Sequence, residues 1–599
     1  MSEARGPSMM RVVSLTNTRT RRVLRALSTS AAPRVAAGLG LLLALPALGV
    51  GFFNDDFGQF LMREGAYPFS ASGPWQAYAF TPPGRGADTL IEHGYLPWFT
   101  DPALHFRFLR PLSSLSLAAD DWAFGRSPLA GHLHSFGWYA ILLALVAFLH
   151  RRVLRPAEAT VATLVYAVAI GPSQALAWVA ARHALMGAAL GVGAITLHVA
   201  SRQRGRAAWG APLFLAVGLL CSESALAAVP FIVLYELIVT EDGARGRLAW
   251  AIPSLLVAAG HLTAYGSLGF GVRHGGGYIS PFHEPVAYAE AALSRGPALL
   301  AEAFGAVPSA LFAIAEPARP VLVAWGAMTT FAVLGLLFGV RHQLRRRERR
   351  RALWLLLSLA GAIVPMLGGF LGGRLLLVAG VGASALLGVV IVQTLLSPIA
   401  GRGRRVLLAA LLFLHLGFAP LVRLGLTAAC DGISDAERDL AASLDPSPCA
   451  EGTHLLLVEG ADPALSMFFE PALRFHAPQT AEHFASAQAL SMVPSPHRLE
   501  RTADGALILR VLDEPRPSSP FEAVYRSRAF EVGDVVRAGA LSVRILEVER
   551  GLWRAAEITV EGGLDQACIG RWDGTRVVVG APPSAGVSEV IPTYPGPTG

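Results

Sequence analysis

Apolar runs about as long as a bilayer is thick recur through the first 426 residues, each closed by a polar turn. A span needs roughly 20 apolar residues in helical conformation. The first run is Ala36 to Phe53. Others lie near 131–149, 158–172, 184–200, 207–221, 224–240, 248–268, 319–340, 353–371, 375–397 and 406–426. The pattern predicts a polytopic α-helical membrane protein with about 11 transmembrane helices. Two regions interrupt it: a polar, aromatic-rich loop at 54–129 and a Gly- and Pro-bearing loop at 269–317, read as an outer loop with one or two interfacial helices.

Residues 430–599 change character. After a helical start, short β-rich runs appear at His454–Val458, Ala506–Leu512, Leu541–Val548, Ala555–Val560 and Thr575–Val579. Gly, Pro and Asp turns separate them, which predicts a small soluble domain, α+β or mainly β. The chain thus divides into a basic N-terminus (1–34), a membrane domain (35–428) and a C-terminal domain (430–599).

Composition agrees with a membrane protein and adds topology. Hydrophobic residues make up 53% of the chain and charged ones only 16%. All 50 basic residues are arginine, which carries no chemistry of its own and suits a GC-rich bacterial genome. Residues 1–429 hold 36 Arg against 19 acids; residues 430–599 hold 14 Arg against 24 acids. The basic excess lies between spans, so it reads as topology and lipid-headgroup contact, not nucleic-acid binding. Arginines at 5, 11, 19, 21, 22, 25 and 34 place the N-terminus in the cytoplasm. Clusters at Arg151–Arg155, Arg202–Arg206, Arg245–Arg247, Arg341–Arg351 and Arg402–Arg405 then all fall on that same side. Eleven spans put the C-terminal domain on the opposite, periplasmic side of a bacterial inner membrane. The first run is read as a retained helix, because Ala44–Ala47 makes a poor signal-peptidase site.

Of four cysteines, Cys221 sits in an apolar span and reads as core. Cys430, Cys449 and Cys568 belong to the C-terminal part, and a Cys430–Cys449 disulfide is compatible with an oxidising compartment. There is no CxxC pair, His/Cys cluster or phosphate-binding glycine loop.

The candidate chemistry lies where polar residues meet the outer ends of spans. Asp55 and Asp56 follow the first run directly, and carboxylates at a bilayer edge are costly enough to mark a working site. On the same expected face are Arg107, Arg110, Asp120, Asp121, His132, His134, Arg182, His183, Glu223 and Arg374. A carboxylate can accept a proton from an acceptor hydroxyl. Arginines hold a phosphate bidentately without losing charge. Adjacent aspartates are also hard oxygen donors that admit a divalent cation such as Mg or Mn. Asp120 and Asp121 suit either a helix cap or a cation, with the cap favoured. His132 and His134, two apart, do not share a helix face well.

Several segments resemble the GT-C superfamily of integral-membrane glycosyltransferases, most closely the protein O-mannosyltransferase and TMTC-type branch. The resembling residues are the aspartate pair after the first helix, Arg110-Pro111-Leu112, Gly125 to Ser135, Val179 to Leu185, Ser222-Glu223-Ser224 and Gly373 to Leu377. They lie in family order over roughly 35–425. The resemblance implies an inverting hexosyltransferase. It would move a sugar from a polyprenyl phosphate to a lipid, glycan or protein acceptor on the periplasmic face. It implies that a first-loop acid is the base, Asp55 or Asp56, with Asp56 preferred because it lies farther from the apolar run. It also implies that Arg182 and Arg374 bind the lipid phosphate and that Glu223 positions a partner arginine or the acceptor. The departures are Ser222 in place of a lysine, leucines in place of aromatics after Arg374, and a β-rich tail. Two other classes stay open: a transporter or flippase for a lipid-linked glycan, and a non-catalytic membrane scaffold.

Overall fold

The computed structural model describes residues 18–594 except 70–72, 84–85, 206–208, 398–400 and 460–462. Arg5, Arg11 and Arg206 of the expected basic clusters lie outside the described residues.

Helical elements occupy each of the eleven expected segments. Among the described residues seven helices are long and apolar enough to cross a membrane, and Pro156–Val168 and Gly210–Cys221 are shorter apolar helices. Proline at the first helical turn starts Pro128–Val153, Pro156–Val168 and Pro285–Gly305, where its missing N–H costs nothing. Composition decides which helices are central. Val179–Arg204 and Ala379–Leu396, rich in Gly and Ala, are 89% and 83% buried within the protein, whereas Ala244–Ser267 is 22% buried. Small residues allow close backbone approach: a Cβ on Gly388 would meet the Glu158 carbonyl at 2.6 Å. The chain is therefore a multi-pass helical membrane protein, with leucine- and valine-rich outer faces left for lipid.

The arginine-bearing turns gather at one end of the helices. Arg155 pairs with Glu348, Arg350 with Glu241 (2.8 Å) and Arg202 with Asp242 (2.5 Å). Arg351 donates to the Val153 carbonyl at 3.2 Å, and Arg152 to Gln203 at 3.0 Å.

The opposite end carries the first loop and the C-terminal domain. Two short strands, β1 (His105–Arg107) and β2 (Gly271–Arg273), pair antiparallel and tie the first loop to the 269–317 region. That region is more than an interfacial loop: the second half of Pro285–Gly305 is core, with Ala298, Leu299 and Ala301 fully buried.

The C-terminal domain follows without a break, because the helical stretch Arg402–Ser443 runs straight from the membrane part into it. It holds two sheets. Strands β3 (His454–Glu459) and β4 (Ser486–Ala489) belong to the first. Next come β5 (His497–Arg501), β6 (Leu507–Val511), β7 (Val535–Ala538), β8 (Leu541–Glu549) and β9 (Leu552–Val560). The chain closes with β10 (Ala567–Trp572), β11 (Val577–Gly580) and β12 (Ser588–Ile591). One sheet has the order β11-β10-β3-β4, with β3 parallel to both its neighbours; the other is antiparallel, β12-β5-β6-β9-β8-β7. The domain is α+β. Cys449 is bonded to Cys568 on β10, and Cys430 is a buried free thiol, so the Cys430–Cys449 pairing is not the one formed. Cys430 lies inside the continuous helix and faces the membrane core.

The first loop and this domain share one core. Trp98 packs 5.5 Å from Trp553 and donates to the Leu490 carbonyl at 2.9 Å. Ala87, Ile91, Phe99 and Leu104 join the same cluster.

Candidate active site

The first membrane helix ends in a sharp turn that aims the helix Asp55–Glu64 away from the helical bundle. Asn54 precedes it at φ 55°, ψ −124°, a conformation costly for any side chain bearing a Cβ. The turn is held from the far end of the chain: the Asn54 N–H donates to Glu437 (3.1 Å), and the Ser434 hydroxyl donates to the Phe52 carbonyl (3.0 Å). Strain maintained by surrounding structure is frequent at functional sites.

Asp55 and Asp56 open that helix, where the positive end of its dipole suits carboxylates. Their surroundings differ. Asp56 is 2% exposed, and its two oxygens accept the backbone N–H groups of Phe53 (3.1 Å) and Ala180 (2.7 Å). Burial raises its pKa to about 7 against those two hydrogen bonds. Asp55 is half-buried and holds no hydrogen bond among the described residues. Burial raises it to about 6, while the charges of Arg374 and then Arg110 pull it back.

Arg110 sits just before Pro111, at the cap of the helix Pro111–Phe124. Its Nε donates to Glu223 at 2.8 Å, and its guanidinium lies 4.1 Å from the Phe108 ring centroid and 5.1 Å from that of Tyr78. Glu223 opens a 3₁₀ turn whose preceding residue, Ser222, meets His183 Nδ1 at 3.0 Å. Arg374 projects from the 3₁₀ turn Gly373–Leu376, donating to Gln174 at 3.2 Å, with its guanidinium 5.6 Å from the Trp178 ring. Gly373 lets this turn approach: a Cβ there would lie 2.3 Å from a Glu302 carboxylate oxygen. Asp55, Arg110, His183, Glu223 and Arg374 thus converge, although 319 positions separate the first from the last.

The remaining sequence-predicted residues lie elsewhere. Arg182 is 1% exposed and committed to protein acceptors: Asp120 (2.5 Å), Ser116 Oγ (2.9 Å), Ser135 Oγ (3.1 Å) and the Gly131 carbonyl (2.8 Å). Asp120 also meets His134 Nδ1 at 2.8 Å, and Asp121 pairs with Arg63. Both acids occupy the last turns of Pro111–Phe124, so neither caps a helix start as expected; they neutralise arginines. Arg107 is in β1 with its guanidinium 5.2 Å from the Phe270 ring. His132 Nδ1 meets the Leu176 carbonyl at 2.9 Å, turned to a different partner from His134.

Among the described residues no group of three or more His, Cys, Asp or Glu gathers as a metal site. Each Asp56 oxygen already accepts a backbone N–H, and the charges of Arg374 and Arg110 act on Asp55. What sequence reasoning missed is aromatic. The Asp55 charge acts on Tyr67, Tyr278 and Tyr525, whose hydroxyl pKa values burial drives upward. Only the glycine triplet before Tyr278 hinted at a close approach there.

No family model matches the chain, and no curated protein does. Among solved structures it is similar to the apo oligosaccharyltransferase of Archaeoglobus fulgidus, at 12% identity over 77% of this chain and 65% of that one, TM-score 0.40. It is similar to archaeal oligosaccharyltransferase AglB from Archaeoglobus fulgidus in complex with an inhibitory peptide and a dolichol-phosphate. That match has 12% identity, 79% and 66% coverage and a TM-score of 0.38. ArnT from Cupriavidus metallidurans bound to undecaprenyl phosphate matches at 14% identity over 77% of this chain and 90% of that one, TM-score 0.35. The chain thus spans just under two thirds of the archaeal protein's length.

Proposed function

We propose that this protein is a membrane glycosyltransferase that moves a sugar from a polyprenyl phosphate to an acceptor hydroxyl at the face covered by its C-terminal domain. The observation that carries this reading is Asp55: a half-buried carboxylate with no hydrogen-bond donor of its own, facing Arg110 and Arg374. Nothing in folding requires that arrangement, whereas group transfer does. The acceptor oxygen attacks the anomeric carbon, Asp55 takes the hydroxyl proton, and the bond from that carbon to the phosphate oxygen breaks. The departing polyprenyl phosphate gains charge, which Arg110 and Arg374 stabilise. Direct displacement inverts the anomeric centre. Asp56, preferred on sequence position alone, is instead the support that fixes the turn. Glu223 holds the Arg110 guanidinium in place through their ion pair. The acceptor is a lipid, glycan or protein, the face is periplasmic, and the membrane is the bacterial inner membrane, as the arginine distribution supports.

The test is sugar transfer by purified protein in nanodiscs across a panel of polyprenyl-phosphate sugars. Asp55→Asn should lower turnover by roughly 10²- to 10⁴-fold, the usual contribution of a general base. Wild-type turnover in Asp55→Asn would overturn the assignment. Tight donor binding with no turnover by the wild type would favour a carrier.

A further inference from the structure

The C-terminal domain does not merely stand over the pocket. The segment Pro520–Tyr525 is wedged between the first loop and the glycine triplet of the 269–317 region. The Asp101 N–H donates to the Tyr525 carbonyl at 3.0 Å. The Gly276 N–H donates to the Ala523 carbonyl at 2.8 Å, and the Ser527 N–H to the His274 carbonyl at 3.2 Å. Side chains do not fit at this seam: a Cβ on Gly275 would lie 2.6 Å from the Val524 carbonyl, and one on Gly276 would lie 2.5 Å from that of Ala523.

At this seam Gly277, just before Tyr278, lies against Val524, just before Tyr525: a Cβ on Gly277 would lie 3.2 Å from the Val524 side chain. Tyr278 packs edge-on against Phe106 (5.2 Å) and tilted against Phe108 (5.8 Å), and the Arg110 guanidinium lies over Phe108. Tyr525 lies 6.4 Å from Phe99 and is 5% exposed. Neither phenol hydroxyl has a hydrogen-bond partner among the described residues. Neither oxygen is among the buried unsatisfied atoms, so both are open to a ligand. Two unpartnered hydroxyls on an aromatic wall beside a carboxylate and two arginines match a sugar ring, which offers apolar C–H faces and a rim of hydroxyls.

Resting on the glycosyltransferase reading, we propose that Tyr525 of the C-terminal domain, with Tyr278, hydrogen-bonds the sugar ring in the Asp55 pocket, so that this domain supplies part of the substrate site. The ring belongs to the donor or to a glycan acceptor, and the two sources are separable by experiment.

Full-length protein in nanodiscs is titrated with undecaprenyl phosphate, with undecaprenyl phosphate carrying glucose, mannose or galactose, and with methyl hexosides. Wild type is compared with Tyr525→Phe and Tyr278→Phe, which remove one oxygen each. Wild type should bind at least one sugar-bearing ligand more tightly than its sugar-free control. Each variant should lose roughly tenfold of that preference, as expected when a buried polar contact is removed, with affinity for bare undecaprenyl phosphate unchanged. Loss confined to lipid-linked sugars assigns the donor ring; loss confined to methyl hexosides assigns the acceptor ring. Sugar preference retained in both variants overturns the proposal and leaves the transferase reading standing. Wild-type binding to no lipid phosphate overturns both.

Discussion

Asp55 keeps its proton up to about pH 6 because burial disfavours its charge more than Arg374 and Arg110 favour it. A general base must be ionised to act. Transfer should therefore fall as pH drops through about 6 and level off above it, which a pH profile of turnover per donor affinity will show. Asp56→Ala should behave differently. It strips the acceptor from two backbone N–H groups, and a buried donor left unmade costs about 1–3 kcal/mol. A lower melting temperature is expected for Asp56→Ala, and none for Asp55→Asn. Sequence alone located the aspartate pair, Arg110, Glu223 and Arg374, because charge at the end of an apolar run is expensive and so stands out. It could not rank the two aspartates, since their difference lies in two N–H groups, one of them 124 residues away. It did not foresee the Arg182–Asp120 pair for a related reason: the two come together only when the helices pack.

Helices were the most legible elements. Apolar runs with arginine ends need no partner to declare themselves, and all eleven expected segments are helical. Strands were legible where an apolar run lies between turn residues, as in β3, β6, β8, β9 and β11. Ser486–Ala489, with no branched or aromatic side chain, became a strand through its parallel pairing with β3. Helix contact also turns on residues without a pattern. Gly326 faces Pro285–Gly305 so closely that a Cβ would lie 1.8 Å from the Pro297 carbonyl. Gly326→Ala should push these helices apart and lower the yield of monodisperse protein in detergent, measured by fluorescence-detected size exclusion.

For the whole molecule, two features support the orientation proposed above. Arginine-rich turns favour the cytoplasmic side. The Cys449–Cys568 disulfide at the other end suits an oxidising compartment. An alkaline phosphatase fused after Gly599 should therefore be active; an inactive fusion would reverse the topology. Burial also lifts carboxyl groups on that side, among them Asp55 to about 6, Asp56 and Glu470 to about 7, and Glu459 to about 8. The unfolded chain releases those protons near pH 4, the folded protein only at these higher values, so the unfolded state binds fewer protons between them. Stability should fall as pH rises across this window. Melting at about pH 5 should be higher than at about pH 8, and the reverse would contradict the burial that raises these groups.

The helix Ala419–Ser443 enters the C-terminal domain only after Ser434 and Glu437 have gripped the turn before Asp55. The two halves are consequently not interchangeable modules. A chimera that grafts another tail at residue 430 would discard the clamp along with the tail and leave the aspartate turn free to relax. Any transplant of this domain has to carry its stalk, and any inhibitor that pries the stalk from the turn would silence the pocket without ever entering it.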